Sequence, residues 1–438
     1  MTLHKKNTVL AGVVFTMSAL STALYAGGFQ LYEQDADNLG TYHAGMAAKA
    51  DTAATEFDNP AGMIRLKHPA ISVGGTYIAL NTSFKGRMSE YLVDPVWPAE
   101  GAGDSNNIVP NVHFVVPFTF ENHAGAFGFG VNVPFGLSTN YPTSTLNVSD
   151  PSQDNVIGLG GTKTSLTAIN IGPSVAFVIS PTLSVGAGLD FVHGQADYNG
   201  DIDPTLVEPE YYTNHLEGNG WGYNVGALYQ PSSVTRLGLT YRSSVSIHAT
   251  GPSVDYVRKT GAQIASTTAD ANLSLPGNLT FSAYHDMSSR WSLMGTVMYT
   301  QWSIFQGLTI NNVSVLPFQT EGVSITENYD YKNSWMSSIG TQYWVTPNNA
   351  LSLGFGVDQT PTVNDHRDIR LPDGDRWAAS AGFKHQFNAN SSVSLGYAYI
   401  DMGTVDINNT NASTLVHEVG SSSGHANVVG LQLNYQFS

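Results

Sequence analysis

Val429-Gly430-Leu431-Gln432-Leu433-Asn434-Tyr435-Gln436-Phe437 alternates without a break, apolar side chains on one side and Gly, Gln and Asn on the other. Successive side chains of a β-strand point to opposite faces, so this stretch is a strand with one apolar and one polar face. The pattern recurs upstream. Trp221, Tyr223, Val225, Ala227 and Tyr229 alternate with Gly222, Asn224 and Gly226, and Leu237, Leu239 and Tyr241 with Gly238, Thr240 and Arg242. Many such runs exceed the five or six residues usual in globular sheets and are long enough for a tilted bilayer crossing of about 9–11 residues.

Working outward from these runs, the alternation predicts fourteen strands, near 68–85, 108–121, 124–137, 163–180, 182–198, 217–230, 233–250, 268–287, 290–311, 326–346, 349–361, 374–388, 391–408 and 424–437. Short turns such as Ser180-Pro181 and Pro347-Asn348-Asn349 alternate with longer loops, near 86–107, 138–162, 199–216, 251–267, 312–325, 362–373 and 409–423. Short periplasmic turns and long extracellular loops are the connections of a bacterial outer-membrane barrel. An even strand count starting from the periplasm returns the C-terminus there.

Composition agrees. Charged residues make up 12% of the 438 residues, about half the usual share. No stretch after the N-terminal leader reaches 18 continuous apolar residues, which excludes a helical membrane protein. The net charge of −16 argues against nucleic acid as a partner, and there is no cysteine for disulfide or thiol chemistry.

Residues 1–26 read as a secretory signal: Lys5 and Lys6, the apolar run Val9 to Leu20, then Ala23-Leu24-Tyr25-Ala26 as the cleavage region. A membrane anchor is the alternative. Residues 27–67, with Gly27-Gly28-Phe29-Gln30-Leu31 and Asn59-Pro60-Ala61-Gly62, contain no alternating run and too little apolar surface to fold alone. They are expected to form a hatch inside the barrel of residues 68–438. The fold class is therefore all-β: a fourteen-stranded antiparallel transmembrane barrel plugged by a small N-terminal hatch.

With Gly28-Phe29-Gln30-Leu31, Asn59-Pro60-Ala61, Val109 to Pro117, Tyr241-Arg242-Ser243, Leu275-Pro276, Trp302-Ser303-x-Phe305 and Leu371-Pro372-Asp373-x-Asp375-Arg376 in this order and spacing, the chain resembles the FadL family over residues 27–438. These are outer-membrane transporters of long-chain fatty acids and other hydrophobic compounds. The resemblance implies capture between extracellular loops, transfer to a pocket touching the hatch, hatch rearrangement, and sideways release at a kinked third strand. On it rest the expected site residues: Gly27, Gly28, Phe29, Asn59 and Pro60 at the hatch, Leu206, Tyr211, Tyr212 and Tyr256 in the capture loops, and Arg242 and Arg376 facing inward. It also implies the bacterial outer membrane as location, lipopolysaccharide as surroundings and the assembly machinery as a partner, read from the last strand, with both termini periplasmic.

In the third strand, Gly125, Gly128 and Gly130 weaken the ladder and Pro134 cannot donate to it. Gly128, Phe129 and Gly130 are the expected lateral opening, although glycines also fill crowded walls. Two departures touch the substrate. The lysine that the resemblance places after Phe318-Gln319 is Thr320, and an arginine expected near Tyr198-Asn199 is missing. Carboxylates are usually held by Arg or Lys, so either another cation serves or the ligand is an uncharged aromatic or alkane hydrocarbon.

Gly420-Ser421-Ser422-Ser423-Gly424 matches a nucleophile motif but lacks the strand-turn-helix setting, and Asp365-His366-Arg367-Asp368 gives no closed metal ligand set. Arg242, Arg376 and Lys384 are read as partners of lumen acids such as Asp190 or as ligand clamps. No cofactor, metal or enzymatic activity is expected. A barrel lipase or a polar porin is the remaining alternative.

Overall fold

The structure, a computed structural model, describes residues 27–437 except 91–95, 122, 147–148, 151–152, 203–209, 315–321 and 412. The expected signal and the candidate Leu206 lie outside the described residues. Fourteen strands close on themselves: β1 (Ala70–Glu90), β2 (Ser105–Phe120), β3 (His123–Asn140), β4 (Lys163–Ser180), β5 (Leu183–Tyr198) and β6 (Glu210–Ser232). Four two-part strands follow: β7 (Thr235–Arg242, Val245–Val257), β8 (Gln263–Leu275, Asn278–Asp286), β9 (Trp291–Thr300, Gly307–Val313) and β10 (Val323–Asn328, Ser334–Thr346). The wall ends with β11 (Asn349–Asp358), β12 (Arg376–Asn388), β13 (Ser391–Thr410) and β14 (Val416–Gln436). Neighbours in sequence pair antiparallel, and β1 closes on β14 from Ala70↔Gln436 to Glu90↔Val416.

Alternation decides which face each side chain takes. Val429, Leu431, Leu433 and Tyr435 are exposed on the outer wall, while Ser72, Thr76, Asn111, Asn170 and Gln432 are buried in the lumen. Outward Trp291, Tyr343, Phe387 and Phe120 lie beside the short turns, and outward Trp221, Tyr223, Trp335 and Trp377 farther along the strands. Such aromatic girdles bound the apolar band of a membrane barrel. No described helix is long and apolar enough to cross a membrane.

Beyond the upper girdle the strands run on. β1 continues to Glu90 and pairs with Trp97–Ala102, and β6 begins at Glu210 opposite Val257. Residues expected in loops, Tyr211, Tyr212 and Tyr256, therefore sit in paired strand. Cross-strand partners that satisfy backbone groups are worth more than loop freedom there.

Residues 27–66 fill the lumen as three one-turn helices, Ala36–Leu39, Met46–Lys49 and Thr55–Asp58, and a 3-10 helix, Pro60–Arg65. Asp35 caps the first through the Asn38 amide at 2.8 Å, and Asn59 caps the last through the Ala61 amide at 3.1 Å. Four short turns do not hold themselves together, so the wall does so with polar contacts. The Asn59 amide donates to Ala47 O at 2.8 Å and to Ala227 O at 3.0 Å. Lys384 pairs with Asp37 at 3.2 Å and Asp51 at 3.4 Å, and Arg242 pairs with Asp190 and donates to Phe57 O at 2.8 Å.

Candidate functional site

Phe29 sits near the tip of the hatch in a box of aromatic rings. Its centroid is 4.6 Å from Trp302, 5.3 Å from Phe305 and 6.1 Å from Phe135, each edge to face, the arrangement favoured by ring quadrupoles. Tyr329 and Tyr331 complete the box, 5.2 Å from Phe305. The chain reaches it through Gly28, at φ +64°, where an added Cβ would lie 2.7 Å from the Trp302 ring. Only glycine fits that turn without strain. Asp373 accepts the Gly28 amide at 2.9 Å and Arg376 donates to Gly28 O at 3.1 Å.

A cavity of about 530 Å³ opens beside Phe29. The hatch side of its lining is Gly28 to Glu33 with Tyr42, and the wall side includes Ile78, Leu80, Leu137, Leu166, Ile400 and Val428. Two edges of the wall also line it: Asn107 to Pro110 of β2, and Val133 and Gly136 to Thr139 of β3.

Those edges are not joined. β2 and β3 pair from Phe120↔His123 to Val112↔Val131, and no pair joins them above that among the described residues. A bulge between Asn132 and Phe135 puts one extra residue into β3 relative to β4. Bulges bend a strand and end its pairing on one side. The hatch takes the vacated edge instead: Leu31 N donates to Pro134 O at 2.9 Å, Gly136 N to Phe29 O at 3.0 Å, and the Gln34 amide to Val133 O at 2.8 Å. The segment that carries Phe29 thus lies against the seam between β2 and β3.

This corrects the sequence expectation for the opening. Gly128, Phe129 and Gly130 are paired on both sides, to β2 and to β4. Side chains added at Gly128 and Gly130 would meet Glu56 and Met63 of the hatch. Their lack of a side chain admits the plug, and the seam begins above them, at Asn132.

The remaining expected residues divide. Gly27, Gly28, Phe29 and Arg376 gather at the tip, whereas Asn59 and Pro60 seat the hatch against the wall and do not line the cavity. Tyr211 and Tyr256 stack at 5.1 Å across β6 and β7. Tyr212 is buried and its hydroxyl accepts from Arg370 at 3.0 Å, so it holds the outer end of the barrel together. Arg242 is engaged with Asp190 and Phe57, as an anchor. Ser422 of the apparent nucleophile motif is part of β14 and donates to Ser83 O at 3.0 Å. Sequence reasoning missed Trp302, Phe305, Tyr329 and Tyr331 as site residues. The signal was there: these aromatics interrupt the alternation at the breaks of β9 and β10.

Comparisons place this geometry among known proteins. A family model described as outer membrane protein transport protein (OMPP1/FadL/TodX) matches residues 17–437. The long-chain fatty acid transport protein of Salmonella typhi is 30% identical over 97% of this chain and 99% of its own length. Outer membrane protein P1 of Haemophilus influenzae is 29% identical with the same coverage. Among solved structures, a Pseudomonas aeruginosa FadL homologue superposes with a TM-score of 0.81 at 21% identity, covering 94% of this chain and all of that one. The Pseudomonas putida toluene transporter TodX superposes at 0.67 and 16% identity, covering 95% of this chain and 100% of its own.

Proposed function

The chain belongs to the OMPP1/FadL/TodX family of outer membrane transport proteins, and from that premise we propose that it carries hydrophobic molecules passively across the bacterial outer membrane. The substrates are long-chain fatty acids or alkyl and aromatic compounds of similar character. Ligand reaches the cavity beside Phe29, the hatch tip shifts, and the ligand leaves sideways between β2 and β3 into the membrane. Lateral release keeps an apolar molecule out of water throughout, and burial of its surface, at about 25 cal/mol per Å², supplies the binding energy.

One observation carries the reading: the cavity that begins at Phe29 includes both unjoined edges of the wall in its lining. The hatch tip beside the cavity and the seam share backbone hydrogen bonds, so displacing Phe29 frees the β3 edge. The C-terminus is assigned to the periplasm, since the Phe437 amide bonds Pro69 O, where the hatch passes into β1, on the side of the short turns. A periplasmic N-terminus rests on the expected export signal alone, because the described chain begins at Gly27 within the lumen, against Asp358 and Tyr32. Lipopolysaccharide then surrounds the extended strands, and the assembly machinery handles the last strand. The protein acts as a channel and not as an enzyme.

A second reading, that the ligand is uncharged, draws on the committed state of the cations. Among the described residues, Lys163 and Arg376 are the cations that line the cavity. Lys163 pairs with Asp197 at 2.5 Å, and Arg376 lies 3.7 Å from Asp373 and 4.0 Å from Asp358. A fatty carboxylate would enter beside carboxylates already charge-paired with both cations, and the donor open to it is Arg376 Nε, which has no partner among the described residues. Thr320, where a lysine was expected, lies outside the described residues.

The test is growth on oleate by a bacterium lacking its own fatty-acid transporter. The wild-type chain should restore growth, and deletion of Val133, which removes the extra residue of the β3 bulge, should abolish it while the barrel still inserts. Growth of the deletion variant at the wild-type rate would sink lateral release at this seam. Toluene uptake without growth on oleate would favour the uncharged ligand.

A further inference from the structure

The wall has a second interruption. β8 and β9 pair at Ala271↔Ile310 and resume at Asn278↔Thr300. Between these points β8 contributes residues 272–277 and β9 residues 301–309. The one backbone bond across is Gln301 N to Gly277 O at 2.9 Å among the described residues. Pro276 offers no N–H to the ladder, as Pro134 offers none at the first seam. The extra residues of β9 form a 3-10 turn at Trp302–Ile304 that buries Trp302 and, after it, Phe305, and leaves Ser303 and Ile304 exposed. The strand there is tied to β10 instead: Tyr329 N and Asp330 N both donate to Gln306 O at 2.9 Å.

Behind this interruption lies a second cavity, about 70 Å³, whose lining includes Leu273, Phe305, Leu308 and Ile310 from the edges of the break. It also includes Phe29, Leu137, Leu166 and Leu371, which line the larger cavity too. Two adjoining cavities therefore run from the β2/β3 seam, past Phe29, to the β8/β9 seam. Six strands, β3 to β8, separate the seams one way round a wall of fourteen, so they face nearly opposite sides. Side chains fill the second seam where backbone bonds are missing, and Phe305, one of them, packs on Phe29 itself.

We propose that the β8/β9 seam is a second lateral exit, through which an uncharged alkyl chain or single aromatic ring leaves the barrel when Phe29 withdraws. The proposal rests on the lateral-release reading above. The ligand class follows from the lining: Leu273, Leu308, Ile310, Ile247 and Ala271 are apolar, and the charged side chain among the described lining residues, Asp197, is held by Lys163 and would repel a carboxylate head group. Apolar side chains without a hydrogen-bonded ladder part at lower cost than a paired wall, because only dispersion contacts and apolar burial are exchanged for those of the ligand.

The chain has no cysteine, which makes the seams addressable one at a time. Ser274→Cys with Ser303→Cys brackets the β8/β9 seam, and Ile108→Cys with Ser138→Cys brackets the β2/β3 seam. Each pair is stapled with a flexible bismaleimide after the barrel has folded, with a monofunctional maleimide as the control for bulk and heat-modifiable gel migration as the check on folding. The readout is uptake of radiolabelled toluene by cells whose only hydrophobic-compound transporter is this protein. Either staple alone should lower uptake about twofold and both together at least about tenfold. A β2/β3 staple that alone reaches the level of the double staple, with no effect of the other, overturns the second exit and leaves lateral release standing. Unchanged uptake with both staples in place overturns lateral release and the second exit with it.

Discussion

Gly28 shows how much one position can hold. It takes a left-handed φ, donates to Asp373, accepts from Arg376 and lies against Trp302. Gly28→Val should cost about 1–3 kcal/mol of local stability through backbone strain alone. The expected outcome is faster hydrogen exchange at the Leu31 and Gly136 amides, which bond across to β3 and the hatch, with strand amides elsewhere unchanged. Asn59 is the counterpart at the base. Its amide donates to two carbonyls while its oxygen caps the 3-10 helix. Asn59→Ala leaves those groups unpaired, at about 1–3 kcal/mol for each buried one. Asn59→Asp keeps the cap but turns a carboxylate on the two carbonyls, so it should be no milder. Both variants should open the bond after Arg65, half-buried in the folded hatch, to trypsin sooner than wild type. Sequence reasoning named both positions, Gly28 from the hatch tip and Asn59 from the Asn-Pro turn, but the partners that explain them are far along the chain.

At the scale of elements, the strand extensions beyond the upper girdle are held together by a buried charge cluster. Glu327 of β10, Glu418 of β14 and Asp368 face Arg370, with Tyr198 donating to Glu327 at 2.5 Å and Arg370 lying over the Tyr198 ring. Burial pushes the Glu327 carboxyl up to about 7, with repulsion from Asp368 adding to it, and burial raises Glu418 and Asp368 as well. A carboxyl whose pKa is raised by folding stabilises the fold while protonated. That contribution is complete below its unfolded value near 4.5 and is lost as pH rises through about 7. Protection of the Ile369 and Leu371 amides, which donate to Glu418 and Asp368, should therefore fall from about pH 5 to about pH 8 by more than intrinsic exchange chemistry accounts for. Glu327→Gln should flatten that fall, and an unchanged pH dependence would show that Glu327 carries none of it. The same elements mark a limit of sequence reading. Residues 199–216 and 251–267 look like loops because their alternation is imperfect, yet 210–214 of β6 and 253–257 of β7 pair because each supplies the other's backbone partners.

For the whole molecule, hatch and wall have separable roles. β1 and β14 close the barrel directly, without the hatch, whereas the hatch hangs on the wall through Lys384, Arg242, Asn59 and the β3 edge. Removing residues 27–66 should leave a heat-resistant barrel with an aqueous lumen, because the inward face is polar. The measurement is conductance in planar bilayers: low for the full chain, and raised at least about tenfold for the truncated one, as expected of an unplugged polar barrel. A truncated chain that fails to form a barrel would mean that the hatch is needed for folding.

Alternation by itself determined that this is a fourteen-stranded membrane barrel, because inside and outside are encoded residue by residue with a period of two. Strand pairing then needs only the next strand in the chain. The missing alternation of residues 27–66 likewise marked a segment that something else must house. Tertiary structure alone decided where the wall is open. Three glycines in β3 look like a weak point, yet Gly128 and Gly130 make room for Glu56 and Met63, residues some seventy positions earlier in the chain. The seam lies where an extra residue in β3 meets the hatch segment around Gln30, which takes the place of β2. Which edge is left unpaired depends on what competes for its hydrogen bonds in space, and a pattern along the chain carries no record of that competition.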